Sequence, residues 1–179
     1  MGVMADPGQL LGEEFLKRPV LEVAPELLGC YLCRELDGKI LRWRITEVEA
    51  YDGPEDKACH AHKGRTGRTE VMFGPAGHWY VYFCYGIHWL LNIVTGPEDY
   101  PAAVLIRGAG EISGPARLTK ALSITGELNR RMAVPECGLW IEAGEILDRA
   151  HILTTPRIGV DYAGPDWSRR PYRFLLRES

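Results

Sequence analysis

The most constraining feature of this 179-residue sequence is a run that alternates like a half-buried β-strand and then continues into carboxylates. The apolar residues of one parity are Leu41, Trp43 and Ile45. In a strand this parity defines one face, and continuing it reaches Glu47, Glu49 and Tyr51. Burying a charge costs several kcal/mol unless the charge is paired or used. Either the strand frays at Thr46 and both glutamates meet water, or a carboxylate is held at the floor of a cleft beside an aromatic ring.

Length and composition indicate one domain, with a loose terminus over residues 1–8 and the folded domain over residues 9–179. The balance of 46% hydrophobic and 25% charged residues is ordinary for a soluble protein. No apolar run is long enough to cross a membrane and no signal peptide opens the chain, so we expect a cytoplasmic protein.

The five cysteines are odd in number and irregularly spaced, which argues against a disulfide framework. Cys30 and Cys33 have the spacing of a redox or zinc motif, but no second pair accompanies them and they lie in a strand-like run. We interpret both as core residues.

The net charge of −3 does not indicate a nucleic-acid-binding protein, although basic residues are grouped locally. These groups are Lys63, Arg65 and Arg68; Arg117 and Lys120; and Arg169, Arg170 and Arg173. One face can therefore be basic while the whole chain is not, and a solvated surface is the simpler interpretation of each group alone.

Hydrophobic periodicity and turn residues predict an α+β fold, a single domain with a curved, mostly antiparallel β-sheet and helices packed at its side. Helices are expected at 13–17, at 24–29 and from residue 113 onward, and strands at 30–36, 39–50, 78–85, 88–94, 102–107, 139–142, 151–153, 157–160 and 171–176. The Asp37-Gly38 pair between the first two strands is a hairpin signal. The loop over 52–77 is long enough to be functional or disordered.

Several blocks of the sequence closely resemble the alkyladenine (3-methyladenine) DNA glycosylase family. They are Glu47–Asp56 with His60, Met72-Phe73, Tyr80–Gly86 with Asn92, Val104–Arg107, Ser113–Leu118, Arg157–Val160 and Pro171–Phe174. The blocks occur in the family's order and cover about residues 10 to 177, so the resemblance is specific although each block alone is weak.

The resemblance implies a monofunctional glycosylase of base excision repair. Such an enzyme hydrolyses the bond between C1′ of deoxyribose and a damaged purine: 3-methyladenine, 7-methylguanine, hypoxanthine or ethenoadenine. It leaves an abasic site and has no strand-cutting lyase activity. The implied partner is double-stranded DNA containing a damaged purine, and the implied protein is a monomer without metal or cofactor, associated with the nucleoid if the chain is bacterial.

The resemblance also assigns catalytic roles to three residues. Glu49 matches the base that activates a water molecule, while Arg107 and the backbone carbonyl of Ile158 match groups that orient it. Glu47 matches no catalytic position, and we expect it to be structural.

Binding roles are implied for residues around this carboxylate. Tyr51 and His60 match one side of the slot for the flipped purine, Tyr82 matches the other, and the backbone at Ala58 and His60 would read the purine edge. Asn92 matches the residue that crowds the exocyclic amino group of guanine. The DNA-contacting positions are Tyr85, which matches the intercalating wedge, with Ile87, Leu105 and Arg117.

Two alternatives remain open at this point. Glu47, Glu49, Glu55, Asp56, His60 and His62 could ligate a divalent ion in a metal-dependent hydrolase, although their spacing matches no known metal motif. The chain could also be a non-catalytic binder of damaged DNA. The loop Lys63–Pro75, the turn Thr95–Pro101, Cys59, His62 and His88 depart from the mammalian pattern, which leaves substrate breadth and DNA affinity open.

Overall fold

The computed structural model describes residues 5–177. The predicted loose terminus falls partly on residues 1–4, which lie outside the described residues. Residues 5–8 enter a turn in which the Gly8 N–H donates to the Ala143 carbonyl at 2.8 Å.

The chain forms a curled antiparallel sheet with short helices, which confirms the α+β prediction. The strands are β1 (Tyr31–Leu36), β2 (Lys39–Asp52), β3 (Trp79–Cys84), β4 (His88–Thr95), β5 (Ala102–Ala109), β6 (Ile112–Ser113), β7 (Leu139–Glu142), β8 (Ile152–Thr155) and β9 (Arg173–Leu176). The helices are α1 (Glu13–Leu16), α2 (Val20–Leu27), α3 (Pro115–Ala121) and α4 (Gly164–Trp167). Single turns of 3₁₀ helix occur at His60–Lys63, Glu70–Phe73, Gly126–Leu128, Pro135–Cys137, Arg149–His151 and Asp161–Ala163.

The sheet curls because the long strand β2 changes partners along its length. The strand order is β3-β4-β5-β2-β1-β7, with β6 added on β5, β9 on β2 and β8 on β9. The first half of β2 pairs with β1, and its second half pairs with β5 on one edge and β9 on the other. The predicted Asp37-Gly38 turn joins β1 to β2, and both residues have the positive φ of a type I′ hairpin (51° and 76°).

One predicted strand face is not continuous. Ile45 and Val48 both pack in the main core, whereas Glu49 and Tyr51 face the opposite side, so the parity of β2 reverses between residues 45 and 48. The pairing with β5 shifts register on both sides of Glu47 at this point. A bulge adds a residue without a partner and thereby exchanges the two faces. Glu49 therefore lies on the face of β2 opposite the apolar core residues, whereas alternation predicted it on the same face.

Two further predictions are wrong. Residues 157–160 form a bend, because Ile158 gives its N–H to a side chain and Arg157 is buried in an ion pair. Helix α2 begins at Val20, so Pro25 lies in its last turn instead of its first, while Gly29 (φ 84°) does end it as expected.

Both faces of the sheet are covered, one by helices and the other by the long loop after β2. On one face, α2 and α3 bury the main core, which includes Val23, Leu27, Leu118 and Leu122. On the other face, the long loop after β2 packs a smaller cluster of Cys59, Ala61, Val71, Met72, Tyr80, Val94 and Ala103. The cleft lined by most of the candidate site residues lies on this loop-covered face. Within residues 5–177 no helix has the length and apolarity needed to span a membrane.

Candidate active site

A cleft of about 910 Å³ opens between the sheet and the long loop. This volume is within the range of small-molecule sites. Nine of the predicted site residues line it: Glu49, Tyr51, His60, Tyr82, Tyr85, Asn92, Leu105, Arg107 and Ile158. The other three, Ala58, Ile87 and Arg117, are not part of its wall.

The floor of the cleft is a single row of residues across four strands. Tyr80 on β3 pairs with Asn92 on β4, Asn92 with Leu105 on β5, and Leu105 with Glu49 on β2. Residues directly opposite one another in antiparallel strands project to the same face. Sheet register thus gathers residues that are far apart in the sequence.

Glu49 is completely buried at this floor (0% exposed) and is held by three groups. The Tyr51 hydroxyl donates to Oε1 at 2.9 Å, the Ile158 N–H donates to Oε2 at 2.7 Å, and Arg107 Nη1 lies 3.7 Å from Oε1. Burial raises the pKa of Glu49, and the Arg107 charge followed by the two hydrogen bonds opposes that rise. The carboxylate is therefore a stronger base than an exposed glutamate, and donors to its charged form surround it.

Arg107 is aimed at Glu49 by its neighbour Glu47. It is the unpaired residue of β5 between the Glu47–Gly108 and Val48–Ile106 pairs, and a bulge of this kind re-aims a side chain. Glu47 Oε1 accepts from Arg107 Nε at 2.9 Å and from Arg173 Nε at 2.7 Å. This geometry accounts for the structural role expected of Glu47.

Three aromatic rings touch each other and form an aromatic wall, with Tyr80 standing where this wall meets the floor of the cleft. The His60 and Tyr82 centroids are 4.6 Å apart with the rings inclined at 71°, and the Tyr80 and Tyr82 centroids are 5.1 Å apart. Ring centroids about 4.5–7 Å apart are typical of two rings in direct contact, so the 4.6 Å between His60 and Tyr82 leaves no room for a third ring. His60 and Tyr82 must therefore separate before a purine can lie between them.

His60 is held as a neutral side chain. Its Nδ1 lies 3.0 Å from the Tyr80 hydroxyl, within hydrogen-bonding distance. Burial, with a smaller contribution from the Arg68 charge, lowers the pKa of His60 to about 4. The ring is thus uncharged at neutral pH.

The tip of the β3–β4 hairpin projects from the rim of the cleft. Tyr85 is 89% exposed and Ile87 67% exposed. Tyr85 (φ 52°) and Gly86 (φ 64°) both have positive φ, which is strained for a bulky residue such as tyrosine. The strained backbone and the exposed ring of Tyr85 together indicate a function other than stabilising the fold.

Ala58 and Arg117 lie away from the cleft wall. The Ala58 N–H donates to Asp56 Oδ1 at 3.0 Å, and its carbonyl accepts from the Tyr162 hydroxyl at 2.8 Å. Reading a purine edge through that carbonyl would require its second lone pair or the release of Tyr162. Arg117 is exposed on α3.

Sequence reasoning missed the ion pair that ties the long loop to the C-terminal segment. Asp56 and Arg157 are both 0% exposed in their side chains, and two hydrogen bonds of 2.6 and 3.0 Å join them. Arg157 also donates to the Ala50 carbonyl at 2.9 Å, and its Cζ lies 4.9 Å from the centre of the Tyr51 ring. Both residues stand in the matched sequence blocks, but their spacing of 101 positions carries no local signal.

Three of the four carboxylates invoked for a metal site, Glu47, Glu49 and Asp56, face arginines instead. Asp56 is paired with Arg157, and Glu47 with Arg107 and Arg173. Across the part of the chain that the structure describes, no three His, Cys, Asp or Glu side chains form a group that could hold a metal ion. All five cysteines are free, and both Cys30 and Cys33 are buried, which confirms their interpretation as core residues.

A buried carboxylate under an aromatic cleft, with an exposed tyrosine on a strained hairpin beside it, is typical of enzymes that act on a base extruded from nucleic acid. The chain belongs to the Methylpurine-DNA glycosylase (MPG) family, whose model matches residues 14–113 and 110–179. This confirms the resemblance drawn from the sequence blocks and places the chain in a family of DNA repair glycosylases.

Individual relatives match over nearly their whole length. A protein of Methanocella arvoryzae is 44% identical over 190 residues, covering 95% of this chain and 94% of the relative. One of Carboxydothermus hydrogenoformans is 44% identical over 189 residues (95% and 96%), and one of Myxococcus xanthus is 46% identical over 179 residues (94% and 91%). All three carry the provisional name 3-methyladenine DNA glycosylase.

Proposed function

We propose that this protein is a monofunctional DNA glycosylase of base excision repair that removes damaged purines from double-stranded DNA. The observation that carries the proposal is the fully buried Glu49 carboxylate at the floor of an aromatic cleft, within 3.7 Å of Arg107. The proposed substrates are 3-methyladenine, 7-methylguanine, hypoxanthine and ethenoadenine.

Recognition requires the damaged nucleotide to leave the duplex, at a cost of a few kcal/mol in stacking and pairing. The exposed Tyr85 is assigned as the wedge that fills the gap, with Ile87 beside it at the hairpin tip. The flipped base would enter between His60 and Tyr82 after these rings separate. Tyr51 is assigned to the same side of the base as His60, and Leu105 is assigned to DNA contact.

The proposed reaction is hydrolysis at C1′. Glu49 takes a proton from water as the water oxygen bonds to C1′, and the bond between C1′ and the purine nitrogen breaks with its electron pair leaving on the base. The carboxylate also stabilises the positive charge that develops on the sugar. Arg107 and the backbone of Ile158 keep Glu49 and the water in place, and no imine with the protein is formed.

Rejection of normal guanine is assigned to Asn92. Its side-chain amide donates to the Tyr80 carbonyl at 3.2 Å, which fixes its position on the cleft floor. A fixed amide there would clash with the exocyclic amino group of guanine.

The unit proposed to carry this activity is residues 9–179, acting as a monomer without a cofactor. Arg117 is assigned to the DNA face through its exposed position on α3. The Ala58 backbone is assigned to the purine edge together with that of His60.

The test is base release from a duplex carrying one hypoxanthine or one ethenoadenine, measured with EDTA present. Wild-type release that falls by about 10²–10⁴-fold in Glu49→Gln supports a metal-free general-base mechanism. The exposed carboxylate Glu111 supplies the matched control, and Glu111→Gln should retain wild-type release. Binding of damaged duplex without release of any lesion, including methylated purines, would favour the non-catalytic binder instead.

A further inference from the structure

One cation on the cleft wall has no role in the proposed reaction. Arg68 lies in the loop over residues 63–75, and its Cζ sits 4.9 Å from the centre of the Tyr82 ring. Both residues line the cleft. The guanidinium therefore occupies a face of one of the rings proposed to hold the base.

The charge of Arg68 acts on all three rings of the aromatic wall, His60, Tyr80 and Tyr82. It lowers the pKa of His60 further than burial alone does, and it opposes the burial that raises the pKa of Tyr80 to about 12. These two residues and Tyr82 form the contacting group of rings described above. Arg68 itself is exposed, so solvent screens its charge in part, but the rings that it acts on are largely buried.

A second arginine of the same loop shows the contrast. Arg65 is paired with Glu70 and Asp99, both at 2.9 Å, and stacks on Phe73 outside the cleft. No ion pair formed within residues 5–177 involves Arg68. The positive charge on the cleft wall is therefore not neutralised by a carboxylate.

We propose that Arg68 determines specificity by making the cleft favour neutral damaged purines over cationic ones. Hypoxanthine and ethenoadenine are neutral, whereas methylation at N3 or N7 gives the purine a positive charge while it is attached to the sugar. Tyr82 already attracts one cation, so a second cation near the same wall gains less from the ring and is repelled by the first. The inference rests on the proposed glycosylase function and deepens it by ranking substrate classes.

The test compares kcat/KM for one 7-methylguanine and one hypoxanthine in the same duplex context. Arg68→Gln should raise the ratio of 7-methylguanine to hypoxanthine by about two- to fivefold, the range for an exposed charge. Arg68→Lys, which keeps the charge, should stay near the wild-type ratio, and so should the matched loop control Arg65→Gln. A ratio in Arg68→Gln equal to that of wild type would overturn the proposal, as would a Lys variant that behaves like the Gln variant.

A phosphate contact by Arg68 would give a different result. It would weaken both substrates equally and reduce the slope of log K against log salt by about one, with no change in the ratio. That outcome also overturns the proposal. If wild-type protein released neither base, the glycosylase function itself would fail, which separates the two failures.

Discussion

The backbone N–H of Ile158 donates a 2.7 Å hydrogen bond to Oε2 of Glu49, across 109 positions of sequence. The predicted contribution of Ile158 was its carbonyl, directed at the water molecule, and that role stays a prediction. The N–H of Ile158 has a second role. It stabilises the charged form of the Glu49 carboxylate, which burial has removed from water. The bend at residues 157–160 therefore places a hydrogen-bond donor directly on the Glu49 carboxylate.

The pH dependence of base release should follow Glu49. Under the proposed mechanism Glu49 accepts a proton only when it is deprotonated, so kcat/KM should rise with pH through the pKa of Glu49 and then level off. Because burial raises this pKa, the acid limb should lie above the ordinary glutamate value of about 4.3. Tyr51→Phe removes a donor to the charged form and should move the limb to higher pH.

The control for this shift is Tyr31→Phe, the same change on β1 outside the cleft. It should leave the acid limb where wild type has it. An unchanged limb in Tyr51→Phe would mean that Glu49 is not the group that titrates.

Replacing Tyr85 by Asn should separate stability from DNA binding. Asn-Gly is the preferred pair for a turn with two positive φ values, so Tyr85→Asn should stabilise the fold by about 0.5–1 kcal/mol. Loss of the wedge should at the same time weaken binding to damaged duplex. Urea unfolding and fluorescence anisotropy measure the two effects, and equal binding by variant and wild type would remove the wedge assignment.

The buried Asp56–Arg157 pair should matter more to stability than any exposed pair. Arg157→Met strands a fully buried carboxylate and should cost about 3–5 kcal/mol in the free energy of unfolding. Arg65→Met breaks pairs that are roughly half exposed and should cost less than about 1 kcal/mol. Similar losses in the two variants would show that burial of the pair is not the cause.

His60 should make the protein less stable in mild acid. Its pKa falls from 6.5 in the unfolded chain to about 4 in the fold, so the unfolded chain binds the proton more tightly. Its contribution is present above pH 6.5 and is lost as pH falls toward 4, by up to about 3 kcal/mol. His60→Gln should flatten the free energy of unfolding over this range relative to wild type.

The exposed His151 provides the comparison, since His151→Gln should keep the wild-type pH dependence. A His60→Gln protein with the wild-type dependence would show that this ring does not titrate with folding.

Much of the architecture could be predicted because its signals are local. The alternation in β3 places Trp79 and Val81 in the main core and Tyr80 in the smaller cluster on the cleft side, as expected from a period of two. The Asp37-Gly38 turn is likewise predicted by two adjacent residues alone.

The β2–β5 bulge could not be predicted, because it depends on how two strands pair and not on either strand alone. Alternation placed Glu49 on the same face as Ile45, yet the bulge puts them on opposite faces. A carboxylate on the core face would have been an isolated buried charge. On the opposite face it meets Tyr51, Arg107 and the Ile158 N–H.

By itself, the sequence determined the fold class, the family and the residue types available for chemistry, since these follow from local periodicity and from matched blocks. Only the tertiary structure decided that Asp56 pairs with Arg157, that the His60 and Tyr82 rings touch, and that Arg68 lies over the Tyr82 ring. The reason is physical. Ion pairs and ring contacts form between side chains that the folded backbone brings within a few ångströms of each other. The number of residues between two positions does not determine that distance in space.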